Sequence, residues 1–130
     1  MSIAVRWVDA EETAVSWQID GEWAVHDHRE AARLTLTMTD STAAYHVLVD
    51  LTCAAFAPPS MLMALRNTQA TVNPSYRGSI FFGANPSLAM LLTAAANLSV
   101  LRPYLHFVQT REDAWILHAE RFGIHAYHGE

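Results

Sequence analysis

Five residues in and just after one predicted strand have side chains suited to chemistry or recognition. A carboxylate at the end of a strand can accept hydrogen bonds from loop amides or serve as a functional acid. A phosphate on a serine in the first turn of a helix would meet the positive end of the helix dipole. Methionines at a helix start can form an adaptable partner surface. This chemistry predicts a partner or ligand site, with one candidate for phosphorylation (Ser60), at Asp50, Thr52, Ser60, Met61 and Met63.

The seven histidines suggest a metal site, but their spacing does not support one. His26 and His28 lie on one predicted helix, where rings two positions apart do not share a face, so both are expected at the surface. His46 and His106 lie in predicted strands and are interpreted as core or edge residues that could be neighbours in the sheet. No HExxH motif or CxxC pair is present. The sequence therefore predicts no metal and no cofactor.

Sequence motifs of catalysis are also absent. The chain contains no GxSxG elbow, no P-loop and no GxGxxG fingerprint. The single cysteine, Cys53, stands beside an apolar stretch and is predicted to be a small buried side chain rather than a nucleophile. We therefore expect that the protein is not an enzyme.

Composition indicates a globular protein and disfavours one class of partner, the nucleic acids. The chain has 130 residues, 52% of them hydrophobic and 16% charged, which is typical of one globular domain. Its net charge is -5 and its eight basic residues are dispersed arginines, which disfavours a nucleic-acid partner. The chain has one cysteine, no apolar signal core at the N-terminus and no apolar run long enough to span a bilayer. We therefore expect a cytoplasmic protein with no membrane span.

The pattern of apolar residues predicts the order β-β-α-β-α-β-α-β-α. The predicted strands are Ile3–Asp9, Val15–Ile19, Tyr45–Leu51, Gly78–Gly83 and Leu105–Gln109. The predicted helices are Trp23–Thr39, Pro59–Val72, Pro86–Leu101 and a segment from Thr110 to Gly123. The helix from Pro86 is apolar almost all round and should be largely buried. This order indicates an α/β domain at 1–123, with an initial β-hairpin, a four- to five-stranded mixed sheet and helices packed on it, followed by a flexible tail at 124–130.

The stretch Val49–Ser60 resembles the STAS domain in its SpoIIAA-like branch of anti-sigma factor antagonists. Asp50, Leu51, Thr52 and Phe56 match the family's Asp-Leu-Ser and the aromatic residue that follows it. Ser60 falls on the serine that a partner kinase phosphorylates in the family. The closing segment Leu105–Ala114 also resembles the family's last strand and helix. The resemblance implies a STAS-like fold and a non-catalytic regulatory module that binds a protein, such as a regulatory kinase or an anti-sigma-type factor, near the second helix; a homodimer is left open.

Three departures from the family pattern fall at the helix entrance. Pro58 stands in place of an aspartate, Pro59 in place of a serine and Met61 in place of a glycine. The two prolines remove two backbone N–H donors, which weakens the hypothesis of a phosphate switch at Ser60.

The alternative interpretation is a binder of a small apolar ligand or lipid, because STAS-like folds resemble lipid-carrying CRAL-TRIO domains. Its cavity is predicted to be lined by Trp17, Phe81, Phe82, Met90 and Trp115.

Overall fold

A five-stranded mixed sheet, in the order β1-β2-β3-β4-β5, forms the centre of the molecule. The computed structural model describes residues 2–8, 10–98 and 100–122, and for Phe122 only the backbone. β1 pairs antiparallel with β2, and every later pair of neighbouring strands is parallel. This confirms the predicted mixed sheet with its initial hairpin. The predicted tail at 124–130, with two of the seven histidines, lies outside the described residues.

The order of strands and helices agrees with the sequence prediction. The strands are β1 (Ile3–Trp7), β2 (Ala14–Glu22), β3 (Tyr45–Phe56), β4 (Tyr76–Phe82) and β5 (Leu105–Val108). The helices are α1 (Val25–Met38), α2 (Met61–Gln69), α3 (Pro86–Ala96) and α4 (Arg111–Phe122), with a short 3₁₀ helix at Arg102–Tyr104.

The two faces of the sheet are covered unequally. Val47, Val49 and Leu51 of β3 belong to the larger core, which the buried sides of α1, α2 and α3 complete. Leu48 lies on the opposite face, in a smaller core that includes Ala114 of α4. Because successive strand residues point to opposite faces, β3 contributes to both cores and is buried almost throughout its first half.

β3 is longer than predicted and contains a bulge. The segment after Leu51 was predicted as a loop, but it continues as strand to Phe56, whose carbonyl accepts from the Trp23 amide at 2.8 Å. Opposite it, Gln18 pairs with Asp50 and Asp20 with Cys53, so β3 carries one extra residue there. The bulge interrupts the alternation of side chains, and Cys53 is exposed. Its predicted burial is therefore wrong.

The helix ends are partly as predicted. Asn85 caps α3 by accepting from the Leu88 amide at 2.9 Å, and Thr110 accepts from the Asp113 amide at 3.1 Å at the start of α4. α3 is nevertheless not largely buried. Its residues Leu88, Leu92 and Ala95 pack on the sheet, whereas Met90 is 75% exposed. No helix or strand of the described chain covers its outer side, so its apolar composition does not lead to burial.

Candidate functional site

Asp50 lies within β3 and is held by an ion pair that the sequence did not predict. Its side chain is 7% exposed, and one carboxylate oxygen accepts from the Thr52 amide at 2.9 Å. The other accepts from the guanidinium of Arg111, the first residue of α4, at 3.1 Å. The Arg111 guanidinium also lies 6.0 Å from the centre of the Phe82 ring. A buried carboxylate needs such partners, so Asp50 joins β3 to α4.

Thr52 lies at the carboxyl edge of the sheet, exposed and packed against the next strand. A Cβ atom added to Gly83 would lie 2.6 Å from Thr52 Oγ1 and 3.1 Å from its backbone nitrogen. Gly83 has φ +77°, a left-handed conformation that other residues rarely adopt, and its amide donates to the Gln109 carbonyl at 3.2 Å. The ends of β3, β4 and β5 therefore meet closely, and only glycine fits between them.

Ser60 is exposed and occupies the N-cap position of α2, but its side chain makes no capping hydrogen bond. The amide of Met61 donates to the Pro58 carbonyl at 2.9 Å, and that of Leu62 donates to the Pro59 carbonyl at 3.3 Å. These two amides of the first turn are thus already satisfied by the chain itself. A phosphate on Ser60 would have to compete for them, and would otherwise gain only from the helix dipole.

The two methionines of the predicted site are in different environments. Met61 is fully buried in the larger core and cannot contact a partner, which corrects its assignment to the partner surface. Met63 is 54% exposed. In α2 the buried positions are Met61, Ala64 and Leu65, so Met63 lies on the solvent side of the helix.

His28 is buried at 2% exposure, and the prediction that it lies at the surface is wrong. It shares the inner side of α1 with Ala31 and Thr35. Its Nδ1 accepts from the indole N–H of Trp23 at 3.2 Å, and its Nε2 lies 2.9 Å from Thr68 Oγ1 in α2. Desolvation by burial, with a smaller contribution from the nearby charge of Arg29, lowers the pKa of His28 to about 4.

A second pair of buried histidines joins β3 to α4. Nδ1 of His46 and Nδ1 of His118 are 2.8 Å apart, and His118 Nε2 is 3.1 Å from Thr13 Oγ1. Burial, with smaller contributions from the charges of His118, His106 and other basic groups, lowers the pKa of His46 to about 3. His46 is thus a core residue as predicted, but its described ring partner comes from α4. His106 lies on β5, which β4 separates from β3, so the prediction that it could be a neighbour of His46 in the sheet is wrong.

The cavity predicted for an apolar ligand is not formed by the residues proposed for it. Trp17 and Phe81 do line a cavity of about 40 Å³ between the sheet, α1 and α2. Phe82 and Trp115 belong to the core on the other face, and Met90 is exposed. A volume of this size holds one or two water molecules rather than a lipid.

The described residues contain neither a metal-ligand cluster nor a helix suited to span a membrane. Residues 2–8, 10–98 and 100–122 contain no group of three or more His, Cys, Asp or Glu side chains placed to hold a metal ion. Within the same ranges, no helix has the length and hydropathy required to cross a bilayer.

Comparisons with known proteins identify the fold. No protein-family model matches the chain, and no curated protein matches its sequence. Among solved structures, the anti-sigma factor antagonist SpoIIAA in its unphosphorylated form aligns with a TM-score of 0.66 at 15% identity, over 95% of this chain and 99% of that one. An uncharacterised DUF3478-family protein with a SpoIIAA-like fold from Shewanella loihica aligns with a TM-score of 0.65 at 11% identity, over 89% and 93%. The phosphorylated Bacillus SpoIIAA aligns with a TM-score of 0.58 at 15% identity, over 86% and 95%. The chain therefore has the SpoIIAA-like α/β fold that its residues predicted.

Proposed function

We propose that the protein is a non-catalytic regulatory module that binds a protein partner through exposed side chains around the start of α2. The observation that carries the proposal is the exposure of three large apolar side chains on β3, α2 and α3, of which α2 and α3 are in contact. Phe56 at the end of β3 is 51% exposed, Met63 of α2 is 54% exposed and Met90 of α3 is 75% exposed. We call these three residues, with Thr52 and Ser60, the α2–α3 surface.

The α2–α3 surface is suited to an apolar partner. α3 contains no charged residue, and the chain has none between Arg77 and Arg102. Methionine side chains are flexible and polarisable, so Met63 and Met90 can adapt to the shape of a partner. A partner that covers them removes apolar area from water, which is the main favourable term in protein association.

The comparisons support the choice of a protein partner. One aligned structure is the anti-sigma factor antagonist SpoIIAA in its unphosphorylated form, and another is the Bacillus cell fate determinant SpoIIAA in its phosphorylated form. The resemblance around Asp50 and Ser60 favours a regulatory kinase or an anti-sigma-type factor as the partner here. Phosphorylation of Ser60 is part of the proposal. Because the neighbouring amides are already bonded, its expected effect is to repel the partner by charge rather than to reorganise the start of α2.

The binding test compares substitutions on the two faces of the sheet. Met63→Asp and Met90→Asp place a charge on the α2–α3 surface, and Ile116→Asp places one on α4, where Ile116 is 43% exposed. The binding partner is a purified anti-sigma-type kinase from the same organism, and affinity is measured by biolayer interferometry. We expect the first two variants to bind at least about tenfold more weakly and the third to bind as the unchanged protein does.

Equal binding by all variants would contradict the proposed surface, provided that thermal melting shows them equally folded. The modification is tested separately by incubation with the kinase and ATP, followed by mass spectrometry of the peptide that contains Ser60. Absence of phosphate at that position would remove the phosphorylation from the proposal and leave the binding surface intact.

A further inference from the structure

An open cleft of about 350 Å³ lies at the amino ends of β3 and β4, opposite the edge where Asp50 and Ser60 are found. It is lined by Ala44, His46, Arg77 and Arg121. Two of its four lining residues are arginines, in a chain whose formal net charge is -5 and whose other arginines are dispersed. The cleft therefore concentrates positive charge at one place on an acidic protein.

The two arginines enter the cleft from different elements. Arg77 stands near the start of β4, and its NH1 group donates to the carbonyls of Pro74 at 3.1 Å and Tyr76 at 3.3 Å. These bonds hold one side of the guanidinium against the backbone. Arg121 lies in the last turn of α4 and has no ion-pair partner among the residues that the structure describes. Both side chains are exposed, so a ligand reaches them from solvent.

This charge also acts on two histidines, the buried His46 in the cleft lining and the half-buried His106. Burial is the largest cause of the lowered pKa of His46, and the charges of Arg121 and Arg77 lower that pKa further. The pKa of His106 is lowered by burial and then by Arg121. The carbonyl groups at the end of α4 are equivalent to about half a negative charge, which repels an anion. The two positive charges of the guanidinium groups are larger, so the cleft still attracts an anion.

We propose that this cleft is a binding site for a phosphate group on a small ligand. A guanidinium presents a planar fork of donors that matches phosphate oxygens, and two forks from different elements can hold one phosphate between them. A phosphate monoester carries a charge of about -1.5 to -2 near neutral pH, which balances two arginines. A monocarboxylate balances only one. The site is distinct from the α2–α3 surface and does not depend on it.

The test is a titration of the full chain followed by NMR of the arginine side-chain Nε–H signals. The probes are inorganic phosphate, phosphoserine and, as the carboxylate control, acetate, all at one ionic strength. The variants are Arg77→Gln and Arg121→Gln. The matched control is Arg102→Gln, since Arg102 is also exposed and also donates to a backbone carbonyl, that of Ala96 at 3.5 Å.

We expect saturable shifts of the Arg77 and Arg121 signals with phosphate and phosphoserine, and none with acetate. Either cleft variant should weaken binding at least about tenfold, and the Arg102 variant should leave it unchanged. Tighter binding of phosphoserine than of inorganic phosphate would identify a phosphorylated organic ligand, and equal binding would identify free phosphate. Equal weakening by all three variants would indicate diffuse charge attraction and overturn the proposal, as would non-saturable shifts. Thermal melting of each variant checks that the fold is retained.

Discussion

The fold buries His28 in its neutral form, so we expect the folded protein to lose stability in mild acid. The indole N–H of Trp23 can only donate, so Nδ1 of His28 accepts and Nε2 carries the proton, which it donates to Thr68 Oγ1. A second proton would have to occupy Nδ1, where it would face the indole N–H. Protonation therefore breaks the hydrogen bond to Trp23 and places a charge in the core.

The pKa of His28 determines in which direction, and by how much, the free energy of unfolding changes with pH. The folded pKa of about 4 lies below the unfolded value of 6.5, so the unfolded chain binds more protons in acid and stability falls as pH falls. The contribution of neutral His28 is complete above about pH 6.5 and is lost between about pH 6.5 and 4. It amounts to about 3 kcal/mol in total, of which about 2 kcal/mol is already lost at pH 5.

The assay is urea unfolding monitored by tryptophan fluorescence near pH 8 and near pH 5. His28→Gln should be less stable near pH 8, because it changes the bonds to Trp23 and Thr68. Between the two pH values, however, it should lose about 2 kcal/mol less than the unchanged protein. His26→Gln is the control, since His26 is the neighbouring exposed histidine. The reasoning would be refuted if the His28 variant lost as much stability as the unchanged protein over this interval.

Two further predictions compare matched positions, each measured by urea unfolding. Gly83→Ala should lower the free energy of unfolding by about 2 to 4 kcal/mol, because the new Cβ would clash with Thr52 in addition to the strain of a positive φ. Gly21→Ala should lower it by only about 1 kcal/mol, because Gly21 has a similar φ of +72° but nothing within 4 Å of the new Cβ. Equal costs would show that Thr52 yields without resistance. Met61→Ala should lower the free energy of unfolding by about 2 to 5 kcal/mol, because Met61 is buried, and Met63→Ala should lower it by less than about 0.5 kcal/mol, because Met63 is exposed. A large loss of stability in the Met63 variant would place Met63 in the core.

Local patterns predicted most of the fold because each element carries its own signal. Asn85 followed by Pro86 marks the start of α3, and the apolar run from Tyr45 marks the central strand. The end of that strand was missed because its small residues, which include Cys53, favour no conformation. The pairing with β2 decides their conformation, and no local pattern encodes that pairing.

The side-chain partners at the site were the least predictable part. Asp50 was identified, but its partner Arg111 lies 61 positions further along the chain. His28 was predicted at the surface together with His26, because two rings two positions apart on a helix do not share a face. The helix phase that aligns it with Ala31 and Thr35 was the signal for its burial. Met61 and Met63 look alike in the sequence, and only the packing of α2 on the sheet separates them.

Two contacts between α4 and β3 restrict movement of the helix along the strand. His118 contacts His46 near the start of β3, and Arg111 contacts Asp50 four residues later. The helix contacts are seven residue steps apart, about 10 Å, and the strand contacts are four steps apart, about 13 Å. Because the earlier helix residue meets the later strand residue, helix and strand run side by side in opposite directions. Sliding by one helical turn, about 5.4 Å, would take both pairs of atoms beyond hydrogen-bonding distance. The two contacts together therefore fix both the direction and the register of α4 along β3.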